Sequence, residues 1–111
     1  MHYCLTADYA PQAVSALRSN PNTNRRDAAQ QVCDAAGAKL VAWFGRTANG
    51  PGAMVIFETN DPAVAPAMVS VAVSSGILQN VRLERLLTQD EIINIRENAQ
   101  KIAGVYKGPG Q

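Results

Sequence analysis

Ala38 to Glu58 is the stretch that most narrows what this chain can fold into. Lys39-Leu40-Val41-Ala42-Trp43-Phe44 is a strand-forming run, Asn49-Gly50-Pro51-Gly52 is a block of four turn-formers, and Ala53-Met54-Val55-Ile56-Phe57 is a second strand-forming run, so the segment reads as a β-hairpin. Neither arm alternates cleanly between apolar and polar. Regular alternation places Leu40, Ala42 and Phe44 on one face with Val41 and Trp43 on the other, and sets Met54 and Ile56 against Val55 and Phe57. Both faces therefore call for a cover. At 111 residues the chain is one domain with enough length for a core of its own, and its helices can cover one face. A second copy is the expected cover for the other. Hydrophobic residues at 47% against 17% charged point the same way, since they leave apolar surface beyond what one small domain hides.

The remaining segments supply the helices and the outer strands. Tyr3 to Ala7 reads as a first strand, with Tyr3, Leu5 and Ala7 on one face and His2, Cys4 and Thr6 on the more polar one. Asp8-Tyr9-Ala10-Pro11 ends it as a turn and leads into a short helix over Gln12 to Leu17. Asn24 is placed to cap a helix from Arg25 to Ala36, in which Ala28, Ala29, Val32, Cys33 and Ala36 recur at helical spacing before Gly37 stops it. Asn60-Asp61-Pro62 opens another helix, running to about Ser74 and ending at Gly76, with Pro66 expected to delay its start or kink it. Ile77 to Leu87 is a fourth strand, and Thr88-Gln89-Asp90-Glu91 is a capping box that opens a last helix carrying Ile92, Ile93, Ile95 and Ile102. Residues 1–104 form the single domain and residues 105–111 a glycine-rich tail expected to fray.

The resulting order of strand, helix, strand, strand, helix, strand is the ferredoxin-like βαββαβ arrangement, an α+β fold with an antiparallel sheet, extended here by a C-terminal helix. Right-handed crossovers give the strand order 4, 1, 3, 2 with the helices on one side. The other side awaits a partner.

The chain resembles the GYD domain family, small bacterial proteins of the dimeric α+β barrel superfamily. The residues that carry the resemblance are Arg25 and Arg26 opening an Ala-rich helix, Ala35-Ala36-Gly37-Ala38-Lys39-Leu40 leading to the aromatic pair Trp43 and Phe44, Val55-Ile56-Phe57-Glu58 followed by Asn60-Asp61, and Thr88-Gln89-Asp90-Glu91. The name-giving Gly-Tyr-Asp motif is not kept, since Asn49-Gly50-Pro51-Gly52-Ala53 stands there. The resemblance implies a dimeric α+β barrel. Its superfamily spans cofactor-independent monooxygenases, isomerases, cyclases, haem enzymes and ligand binders, so it selects no reaction.

Several function classes are disfavoured by composition and by absent motifs. Ten basic and nine acidic side chains leave a net charge of +1, with no footprint for nucleic acid and no polybasic membrane patch. No apolar run approaches the ~20 residues of a membrane span, no signal peptide precedes the first strand, and the cytoplasm is the expected address. Cys4 and Cys33 have neither CxxC nor histidine spacing for zinc and are expected as buried free thiols. With one histidine in the chain, a multi-histidine metal centre is not expected; nor are nucleotide or triad motifs present, so no cofactor is assigned.

Three candidate sites remain. In the order 4, 1, 3, 2 the first and fourth strands are neighbours, so His2, Cys4 and Thr6 share a face with Arg82 and Glu84. His2 there is a candidate general base beside Glu84, with Arg82 to hold an anionic oxygen. The bland alternative is a solvated terminal histidine and an ordinary cross-strand pair. Tyr3, Cys4, Trp43, Phe44, Met54 and Met68 are candidates to line a pocket between sheet and helices for a small apolar or aromatic ligand, the alternative being core or subunit interface. Arg25, Arg26 and Arg46 are candidate anion ligands, or else solvated charges. The leading expectation is a homo-oligomeric ligand-binding protein; the alternative is a cofactor-independent enzyme of monooxygenase, isomerase or cyclase type using His2.

Overall fold

In a computed structural model that describes all 111 residues, the chain runs β1 (His2–Tyr9), α1 (Pro11–Ser19), α2 (Arg25–Ala36), β2 (Lys39–Arg46), β3 (Gly52–Glu58), α3 (Val64–Ser74), β4 (Leu78–Leu86) and α4 (Gln89–Ala103). The four strands form one antiparallel sheet in the order β2-β3-β1-β4, as the crossover rule requires. The fold is ferredoxin-like α+β with an added C-terminal helix.

Local chemistry sets the helix limits. Asn24 accepts a hydrogen bond from the Asp27 amide at the start of α2, and Gly37 ends the helix at φ +70°, a conformation that suits a residue without Cβ. Thr88 and Glu91 form a reciprocal capping box at the start of α4. α3 begins at Val64, two residues past Pro62, and Pro66 is its third residue, where the missing amide has no intrahelical acceptor to lose.

The covered face of the sheet packs on α2 and α3. Leu5, Leu40 and Phe57 meet Cys33 from α2 and Val64, Ala65 and Met68 from α3, and both Phe57 and Cys33 are fully buried. Tyr3 stacks on Phe57 with ring centroids 5.5 Å apart.

Strict alternation along β2 fails at one residue. Leu40 pairs with Phe57, but the register then shifts, and Ala42, Trp43 and Phe44 oppose Ile56, Val55 and Met54. The extra residue, Val41, is a bulge. Leu40 and Trp43 consequently share the covered face, and Ala42 and Phe44 point to the open one, which corrects the grouping of Leu40 with Ala42 and Phe44.

α4 departs from the body. None of its residues is buried, and Ile95 and Ile102 are 50% and 64% exposed. The molecule is 61 Å long with a radius of gyration of 18.1 Å, against about 13 Å for a compact chain of this length. Only 14 of 111 residues are buried, so much of the apolar surplus in the composition stays uncovered.

Candidate functional site

A cavity opens between the sheet and the two packed helices. Its volume is about 510 Å³, within the range of small-molecule sites, and 15 of its 18 lining residues are hydrophobic. The sheet contributes Leu5, Ala7, Trp43, Ala53 and Val55 as its floor. α2 contributes Ala28, Ala29, Val32 and Ala35, whose small side chains leave the space, and α3 contributes Met68, Val71 and Ala72. No carboxylate, imidazole or thiol lines it. At one end it meets a shallow polar pocket of about 640 Å³, and Tyr9, Arg25 and Trp43 belong to both. The Arg25 guanidinium lies 5.9 Å above the Tyr9 ring in a cation–π arrangement.

His2, Cys4, Asp8, Arg82 and Glu84 share the open face of the sheet. Register places Cys4 across from Glu84 and Thr6 across from Arg82, as the strand order predicts. Cys4 is 5% exposed, and burial pushes its thiol up, reinforced by the negative charge of Glu84 and opposed by Arg46. Cys33 lies on the other side of the sheet, its thiol raised by burial and then by Asp34. Neither cysteine is in a disulfide.

His2 finds its carboxylate on a different strand from the expected one. Its Nε2 lies 3.5 Å from Glu58 Oε2, because His2 and Glu58 are cross-strand partners in the β1–β3 pair. Across the β1–β4 pair it faces Leu86, and Glu84 stands opposite Cys4.

The structure thus divides the predicted site residues. Trp43 and Met68 line the cavity, and Tyr3 packs, half-buried, against the core cluster that holds Met68. Cys4, Phe44 and Met54 occupy the open face with His2, Arg82 and Glu84, on the far side of the sheet from the cavity. Arg46 donates from Nη1 to Asp8 Oδ1 at 3.0 Å, whereas Arg25 and Arg26 take part in no ion pair.

Sequence reasoning missed the best-formed polar cluster. Asp8, read as a turn residue, is the last open-face position of β1 and is 7% exposed. Its Oδ1 accepts from Arg46 of β2 and its Oδ2 accepts from Asn80 Nδ2 of β4 at 3.0 Å. Asn80 holds φ +53° beside the register shift between β1 and β4. One carboxylate ties both outer strands to the centre of the sheet. The available signal was parity, since Cys4, Thr6 and Asp8 share a face and Asp8 meets Gly52 across the β1–β3 pair.

An antiparallel four-stranded sheet with helices on one face and an apolar cavity beneath them defines an α+β protein of ferredoxin-like architecture. The chain belongs to the GYD domain family, whose model matches residues 3–95. Neither curated proteins nor solved structures yield a match. No helix is long and apolar enough to cross a membrane.

Proposed function

We propose that this protein is a homo-oligomeric binding protein that takes a small apolar or aromatic ligand in the cavity between the sheet and helices α2 and α3. The observation that carries the reading is the cavity itself: about 510 Å³ of space walled mainly by aliphatic side chains and one tryptophan, with no carboxylate, imidazole or thiol at its surface to drive a reaction. Self-association, as a dimeric α+β barrel, is supported by the uncovered sheet face, where Phe44 is 60% exposed, and by the isoleucines of α4.

Titration with neutral aromatic probes while following Trp43, the only tryptophan in the chain and a lining residue, tests ligand binding. A saturable change supports the reading; a Trp43 signal indifferent to every neutral probe overturns it. Released small molecules from natively purified protein then give the ligand class.

The 3.5 Å approach of His2 to Glu58 favours one second reading, a cofactor-independent enzyme with His2 as general base and with Glu84 and Arg82 on the same face. Its substrate would lie on the open face between assembled subunits, apart from the cavity. His2→Ala abolishing turnover while leaving cavity binding intact supports it; unchanged turnover removes it.

A further inference from the structure

We infer that the ligand of the cavity is an amphipathic organic anion, with its apolar or aromatic body among α2, α3 and the sheet and its carboxylate or sulfonate group at Arg25. The inference rests on the cavity being a ligand site. It adds the ligand's charge, and the argument for that charge is independent of the apolar walls.

The cavity and the shallow pocket share Tyr9, Arg25 and Trp43, so they form one continuous depression with an apolar and a polar end. The polar end carries Arg25, Arg26 and Arg46, and no Asp or Glu lines either part. Two uncompensated positive charges, on Arg25 and Arg26, remain there in a chain whose net charge is only +1. Asp8 answers Arg46. Arg25 and Arg26 have no such partner, since the remaining ion pairs are His2 with Glu58 and Arg85 with Glu91.

Arg25 is the residue on the boundary. Its guanidinium lies over Tyr9 and makes no hydrogen bond or ion pair within the chain, so its N–H donors are free to grip a planar or tetrahedral oxyanion. A neutral ligand that fills the apolar end strips water from those donors and returns nothing to them, and a cationic one is repelled. An anionic head restores both charge and hydrogen bonds.

A matched pair of fluorescent probes tests this: anilinonaphthalene sulfonate and its neutral counterpart N-phenylnaphthylamine, which share an aromatic body and differ in the sulfonate. Energy transfer from Trp43, which lines both ends, reports probe binding, and the dependence of the sulfonate's signal on Arg25 assigns it to this depression. Both are expected to bind, the sulfonate roughly tenfold more tightly at low salt, with that advantage shrinking as salt rises. Arg25→Gln is expected to remove the advantage and to leave the neutral probe within about twofold, with Arg25→Lys restoring part of it. Equal binding of the two probes, or an Arg25→Gln effect shared by both, overturns the inference while the cavity remains a ligand site. If neither probe transfers energy from Trp43, the ligand site and its charge preference fall together.

Discussion

Arg46 on β2 reaches across β3 to Asp8 on β1, and the 3.0 Å bond passes over Gly52, the cross-strand neighbour of both. Asn80 of β4 completes the carboxylate's partners from the other side. The sheet of this protein is therefore cross-linked at one end by side chains as well as by its ladder. A buried carboxylate is tolerated here because both of its oxygens are engaged.

Asp8→Ala is expected to cost about 2–4 kcal/mol, because it leaves the largely buried guanidinium of Arg46 without its counter-charge and Asn80 without its acceptor. Arg46→Ala, and the double variant measured by urea unfolding, complete a cycle. The double variant is expected to be less destabilised than the sum of the two single variants. Strict additivity would show that the pair has no energetic coupling.

Gly52→Ala is expected to be similarly damaging through geometry alone. A Cβ at this position would lie 3.2 Å from Asp8 Oδ1 and well inside contact distance of the Ala7 carbonyl oxygen, whose backbone lies at the centre of the sheet and cannot swing away. A loss of about 1–3 kcal/mol with a shift of the β1–β3 amide resonances is the expected outcome. A variant as stable as the parent would mean that the strands separate freely there.

Much of the architecture was legible because it depends on neighbours in sequence. Asn24 with Asp27, Gly37, and Thr88 with Glu91 mark helix ends by local chemistry, and turn residues delimit the hairpin. The bulge at Val41 was not legible, since nothing in Leu40-Val41-Ala42 signals which residue leaves the ladder, and pairing with β3 decides it. For the same reason Trp43 could be chosen as a pocket residue while Phe44, beside it, was assigned to the wrong side. Asp8 finds Arg46 38 residues away and Asn80 72 residues away, and that meeting exists only once the lateral order and both irregularities of register are set. His2 illustrates the same limit: β4 was the neighbour considered, and β3 on its other flank supplies Glu58.

The two thiols predict an alkaline weakness. Burial raises both Cys4 and Cys33 above the ordinary thiol value, so the folded chain keeps protons that the unfolded chain has lost. Stability from this source is fully present below the unfolded thiol value of about 8.5 and is lost as pH rises toward the folded values. Each thiol contributes a slope of up to about 1.4 kcal/mol per pH unit in that window. Urea unfolding at intervals above pH ~8 is expected to show the decline, and Cys33→Ala to flatten it whatever its own packing cost. An unchanged slope in that variant would assign the decline to other groups.

α4 is the element least served by its own chain, with no buried residue. Ile92, Ile95, Ala99 and Ile102 follow one another at spacings of three, four and three, which aligns them in a stripe along the helix. The helix is about 22 Å long, close to the length of the eight-residue strands of the sheet, and Ile95 and Ile102 on its stripe lie half or more exposed. An isolated amphipathic helix of this size is marginal in water, so its stripe needs a surface to hold it. A second copy carries such surface on its uncovered sheet face. Replacing Ile95 and Ile102 together with aspartate is expected to reduce the mass measured by light scattering to that of one chain at micromolar concentration, and to lower the thermal midpoint because assembly no longer stabilises the fold. The ion pair of Arg85 with Glu91 and the capping box lie at the other end of α4 and would survive the change. A parent protein that is monomeric at micromolar concentration, or a double variant that keeps the parent's mass, would remove α4 from the interface.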